Sequence, residues 1–140
     1  MARRRPTPEK AFQTKLVDAL HARGYIVDHT YQLRTDDGSW RTGSTLKGKP
    51  DLICLRPPWQ VAIEVKADGG RLRPDQQAVL SYYAGIHNAR AWVLDPTVSW
   101  ESIMAWIDDL AAAPRVYGFD PMPILDAYRI LATASQRKAR

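Results

Sequence analysis

A chain of 140 residues, 45 % apolar and 25 % charged, is one ordinary domain, long enough to bury a core without staples and too balanced in composition to be disordered. Its apolar runs fall far short of the roughly 20 residues that span a bilayer, and Met1-Ala-Arg-Arg-Arg-Pro6 lacks the apolar segment of a secretory signal, so a cytoplasmic setting without membrane contact is expected. The net charge of +5 is unevenly placed, with residues 1–5, 31–73 and 131–140 each carrying +3 and residues 74–130 summing to −4; basic ends are ordinary solvated tails, whereas a basic middle segment around acids suits a site that attracts a polyanion.

Thr7-Pro8-Glu9 opens the first predicted helix with an N-cap, a proline at the first helical position and an acid in the first turn. Phe12, Leu16, Ala19 and Leu20 follow at helical spacing, and Gly24 marks the stop. Glu9 shares the inward stripe at its N-terminal end. It is either a helix-dipole acid or a carboxylate projecting toward whatever that helix end overlooks.

Tyr25-Ile-Val-Asp-His-Thr30 reads as a strand, with Tyr31-Gln-Leu-Arg34 as its continuation. Asp36-Asp37-Gly38 signals a turn, and Trp40 and Arg41 a returning strand. From Thr42 to Pro50 there is no hydrophobic period. Gly43, Gly48, Lys47 and Lys49 read as a mobile basic loop, either a solvated connection or a phosphate contact beside Asp51.

Leu52–Leu55 and Val61–Val65 are short apolar runs, and Pro57-Pro58 excludes a helix through their junction. A hairpin pivoting there pairs positions whose numbers sum to about 115, so that Asp51 faces Glu64 across the strands, their Cβ atoms roughly 5 Å apart on one face. Lys66 follows on the same face as Glu64. A register shifted by one would separate the acids, and a shared site requires them together. An unpaired charge at such a place costs several kcal/mol, roughly, unless it pairs, binds a cation or lines a cleft. Cys54, the single cysteine, reads as a small core hydrophobe, with no second Cys or His at zinc spacing.

After Ala67-Asp-Gly-Gly-Arg-Leu-Arg73, a helix starts at Pro74-Asp75, although Arg73 is a poor N-cap. Its inward stripe is Val79, Leu80 and Tyr83, and Gln76 begins that face as Glu9 begins the first. Ala89–Asp95 is a further strand. Asp95-Pro96 is expected to cap a helix burying Trp100, Ile103, Met104, Ile107 and Leu110. Beyond Ala113-Pro114 the chain reads as an appendage, with a helix from Ile124 to about Arg137 that packs on the domain or on a second subunit. Neither internal repeats nor low-complexity segments are present.

The order helix, strand, hairpin, helix, strand, with Pro50-Asp51 and then Glu64-Val65-Lys66, resembles the PD-(D/E)xK nuclease superfamily. Gly48-Lys49-Pro50-Asp51, Glu64-Val65-Lys66 and Leu72-Arg73-Pro74-Asp75-Gln76 together are most similar to the VRR-NUC (virus-type replication-repair nuclease) family, related to Holliday junction resolvase-like nucleases. The likeness runs from about Thr7 to Asp95. It implies an α/β fold with a restriction-endonuclease-like αβββαβ core, a mixed central sheet flanked by helices, and a C-terminal helical extension. The corresponding division is a basic tail over 1–6, a nuclease domain over 7–113 and an extension with a basic tail over 114–140.

The resemblance also implies roles. Asp51, Glu64 and the backbone carbonyl of Val65 would bind Mg²⁺, with Mn²⁺ as a substitute, and Glu9 would complete the metal shell directly or through water. Lys66 would orient or help deprotonate the attacking water and hold the scissile phosphate, and Gln76 would position Lys66, the water or a phosphate. Lys47, Lys49, Arg41, Arg71 and Arg73 are candidate nucleic-acid contacts. The expected activity is endonucleolytic hydrolysis of DNA, structure-selective for branches, flaps or Holliday junctions, leaving a 5′-phosphate and a 3′-hydroxyl. Cutting both strands of a symmetric junction calls for a homodimer. Two other readings stand beside it: a non-catalytic nucleic-acid-binding module retaining the fold, and a structural subunit of a larger assembly. The first gains little from buried acids facing a polyanion.

Overall fold

The computed structural model describes residues 5–29, 32–34, 36–38, 40–42 and 46–138, the side chains of 32–34, 40–42 and 135–138 excepted. Helix α1 (Pro8–Ala22) begins as its sequence dictates: Thr7 Oγ1 accepts a hydrogen bond from the Lys10 N–H at 3.2 Å, and Pro8 occupies the first turn. Leu16, Val17 and Leu20 form its buried stripe. Strand β1 (Ile26–His29) follows. The expected continuation of that strand is instead a separate two-stranded sheet, β2 (Gln32–Arg34) against β3 (Trp40–Thr42), folded back around the Asp36-Asp37-Gly38 turn.

Strands β4 (Leu52–Arg56) and β5 (Trp59–Val65) form the hairpin, in the register Leu52↔Ile63 through Arg56↔Trp59. Helix α2 (Pro74–Ala84) then crosses over to β6 (Ala89–Leu94), which lies parallel to β5. Helix α3 (Trp100–Asp108), the two-residue strand β7 (Val116–Tyr117) and helix α4 (Ile124–Lys138) complete the order. The main sheet is β1-β4-β5-β6-β7, antiparallel on the β1 side of β5 and parallel beyond it.

Alternation along the strands divides the core into two layers. Leu52, Cys54, Val61, Ile63, Val65, Trp92 and Leu94 pack with Leu16 and Leu20 of α1 and Ile103 and Ile107 of α3. Burial in that layer pushes the Cys54 thiol up to about 12. The opposite face carries the small Ala62 and Ala91 under Leu80 of α2, which allows the helix to lie close to the sheet. The ends of α1 and α3 are pinned together. The Tyr25 hydroxyl donates to the Ile107 carbonyl at 2.8 Å, and Arg23 Nε pairs with Asp108 Oδ1 at 2.6 Å.

Two further expectations change. Helix α3 is capped by Ser99, whose Oγ accepts from the Ser102 N–H at 3.1 Å, and not by Asp95. The Asp95 carboxylate instead closes its own turn, accepting from the Thr97 N–H at 2.8 Å. Nor is the segment after Pro114 an appendage. Strand β7 extends the sheet, the Ala91 N–H donates to the Arg115 carbonyl at 3.0 Å, and Trp92 Nε1 donates to the Pro114 carbonyl at 2.8 Å. Helix α4 packs on α2 with Ala127 fully buried.

Candidate active site

The register of the hairpin decides the site. Extending the pairs Ile53↔Ala62 and Leu52↔Ile63 by one step sets Asp51 opposite Glu64, as the charge pattern predicts. The two are joined reciprocally through the backbone. The Asp51 N–H donates to Glu64 Oε2 at 3.3 Å, and the Val65 N–H donates to Asp51 Oδ2 at 2.8 Å. Glu64 is only 3 % exposed, at the end of the sheet face that carries Ala62 and packs against α2.

Gln76 reaches this pair because Pro74 starts α2 beside it. Its Oε1 accepts from the Arg73 N–H at 3.0 Å, capping the helix in place of the absent Ser or Asp, and from Lys66 Nζ at 3.0 Å. Its Nε2 donates to Glu64 Oε1 at 3.1 Å, and Lys66 Nζ lies 3.5 Å from the same oxygen. One amide therefore fixes an acid, an ammonium group and a helix terminus together. Of the residues predicted for the site, Asp51, Glu64, Lys66 and Gln76 are gathered, with Val65 tied in through its N–H.

Glu9 is not gathered with them. It is exposed in the first turn of α1, and among the described residues no group of three His, Cys, Asp or Glu side chains comes together. Lys47, Arg71 and Arg73 are exposed, and Arg73 pairs with the buried Asp75, Nε to Oδ1 at 3.2 Å. Lys49 is already engaged by Asp28, Nζ to Oδ2 at 2.8 Å. Arg41 belongs to β3, and its side chain lies outside the described residues.

Between 46 and 50 the loop before Asp51 packs against the protein, with Gly48 and Pro50 buried. Gly48 has φ +84°, and a Cβ on it would stand 2.5 Å from the Asp75 carbonyl oxygen. Only glycine permits this contact between the loop and the first turn of α2. The Gly-x-Pro-Asp motif marked the position, but nothing local in the sequence indicated what the glycine touches. Asp75, which holds Arg73 across the rim, was likewise missed.

The electrostatics define what the pair lacks. Burial first, and then the negative charge of Asp51, push the Glu64 carboxyl up to about 8, against the pull of Lys66. Asp51 is raised as well, chiefly by burial, while the Val65 N–H and a hydrogen bond with the Glu64 carboxyl oppose the rise. A buried acid facing a second, half-buried one favours its protonated form, and a further positive centre between them would offset that. Both groups offer oxygen donors only, so the donor set fits a hard divalent cation such as Mg²⁺ or Mn²⁺.

Compared with protein-family models and with curated proteins, the chain matches none. No helix among the described residues is long and apolar enough to cross a membrane.

Proposed function

We propose that the chain is a metal-dependent endonuclease hydrolysing DNA phosphodiester bonds, with a restriction-endonuclease-like αβββαβ core formed by α1, β1, β4, β5, α2 and β6. The observation that carries this reading is the buried Glu64 facing the half-buried Asp51, a pair short of positive charge and wired through Gln76 to Lys66. A Mg²⁺ or Mn²⁺ ion held by Asp51, Glu64 and the Val65 carbonyl would make a water more acidic and absorb charge developing on the phosphate. Lys66 would orient that water and hold the scissile phosphate, its ammonium group kept in place by Gln76. Lys47, Arg71 and Arg73 at the exposed rim draw in the DNA backbone.

Incubation with linear and branched DNA in Mg²⁺ and in EDTA tests the proposal. Cutting in Mg²⁺ alone, abolished in Glu64→Ala, is expected. Equal cutting by that variant, or binding with no product under any divalent metal, would sink it; the second outcome favours a non-catalytic module. On symmetric junctions we infer a cytoplasmic homodimer, for which Ile124, Leu125 and Tyr128, exposed on α4, offer an apolar face. Light scattering that finds only monomers on junction DNA overturns the dimer.

A further inference from the structure

Beside the proposed catalytic centre lies a cavity of about 420 Å³ between the 46–50 loop, the first turn of α2 and helix α4. Lys47 stands on one wall, Asp75 at the base of α2, and Arg129 and Thr133 on the wall formed by α4. Asp75 precedes Gln76 in the first turn of α2, so the cavity and the side chain that holds Lys66 and Glu64 share that turn.

Its charge is one-sided. Asp75, the acid lining it, is engaged by Arg73 through Nε and Nη2 at 3.2 and 3.4 Å. Lys47 and Arg129 are exposed, and among the described residues neither has an ionic partner. The Thr133 hydroxyl already donates to the Arg129 carbonyl at 2.8 Å, so the two cations are the groups that remain to meet a ligand. That combination suits a singly bridged anion such as a backbone phosphate diester.

The wall is held in place. Gln77 Nε2 donates to the Asp120 carbonyl at 2.9 Å, and the Met122 N–H donates to Ser81 Oγ at 3.1 Å. The Tyr82 hydroxyl reaches the Ile124 carbonyl at 3.5 Å. These bonds, together with buried Ala127, fix α4 against the helix that carries Gln76. The sequence then continues with Arg137, Lys138 and Arg140, so basic charge runs on from Arg129 toward the chain end.

We propose that α4 is the second wall of the DNA groove, and that Lys47 and Arg129 together clamp one backbone phosphate adjacent to the scissile one. The inference rests on the nuclease reading and assigns to the C-terminal segment a role in substrate binding. The contact carries no base specificity, so its loss weakens binding to all sequences alike.

The test is fluorescence anisotropy of labelled DNA over a salt series, with Ca²⁺ replacing Mg²⁺ so that the DNA is not consumed, run beside a cleavage assay in Mg²⁺. Arg129→Glu is expected to raise Kd about tenfold and to lower the slope of log Kd against log salt by about one. Arg129→Lys is expected to stay near the wild type, and the melting temperature of both variants is expected to be unchanged because the side chain is exposed. The losses of Lys47→Ala and Arg129→Ala are expected not to add in the double variant, because two groups on one phosphate are coupled. If the wild-type protein binds and cuts DNA while Arg129→Glu keeps its affinity and salt slope, the clamp is wrong and the nuclease reading stands. If the wild-type protein neither binds nor cuts DNA, both fall.

Discussion

Glu64 is a carboxylic acid whose environment favours the protonated form. In the unfolded chain it titrates near 4.5, and in the folded, metal-free protein near 8. Between those values the folded protein binds more protons than the unfolded chain, so stability falls as pH rises through that window. Each tenfold difference in proton affinity is worth about 1.4 kcal/mol, which for a domain of this size moves the melting temperature by roughly 3–5 °C. The EDTA-treated protein is therefore expected to melt several degrees lower at pH 8 than at pH 5.5, and Glu64→Gln is expected to flatten the difference. A divalent cation needs both carboxylates ionised, so Mg²⁺ is expected to raise the melting temperature more at pH 8, where it displaces the retained proton. A melting temperature in EDTA that ignores pH, or an equal Mg²⁺ shift at both values, would contradict this account of the pair.

At the level of elements, the loop at 46–50 and helix α2 form one unit through Gly48, and substitution can separate strain from contact. Gly48 and Gly24 both sit in the left-handed region, at φ +84° and +82°. An added Cβ at Gly24 meets nothing within 4 Å, whereas at Gly48 it meets the Asp75 carbonyl oxygen at 2.5 Å. Gly24→Ala is expected to cost about 1 kcal/mol from backbone strain alone. Gly48→Ala is expected to cost about 2 kcal/mol more, or to shift the loop and Asp51 with it, seen as weaker Mg²⁺ binding by calorimetry. Equal losses for the two variants would show that the loop does not rely on this contact. The hairpin and Gln76 were legible because their signals are local: two prolines between apolar runs placed the turn, the need to bring Asp51 and Glu64 together chose the register, and helical spacing put Gln76 at the head of a stripe. The glycine contact, the Lys49–Asp28 ion pair and the choice of Ser99 over Asp95 as a cap were not legible. Each depends on what a distant or competing segment does, and a period of 2.0 or 3.6 residues carries no record of that.

For the whole molecule, the sequence suggests a boundary after Ala113, yet packing crosses it. A two-residue strand such as β7 has no periodicity to read, and its parallel partner lies more than twenty residues away, so its pairing is visible only in three dimensions. Removing residues 114–140 would strip β6 of its outer neighbour, leave the Trp92 indole N–H without the Pro114 carbonyl, and uncover the α2 face that carries Gln77, Ser81 and Tyr82. A buried donor left without its partner costs about 1–3 kcal/mol, and domains of this kind are stable by only about 5–15 kcal/mol. The exposed apolar area on α2 and the open edge of β6 would add to the loss and promote association through the unpaired strand. A chain ending at Ala113 is therefore expected to lose cooperative thermal unfolding or to aggregate, measured by calorimetry and size-exclusion chromatography. A single sharp transition within a few degrees of the full chain would show instead that residues 1–113 fold by themselves and that α4 is an addition to them.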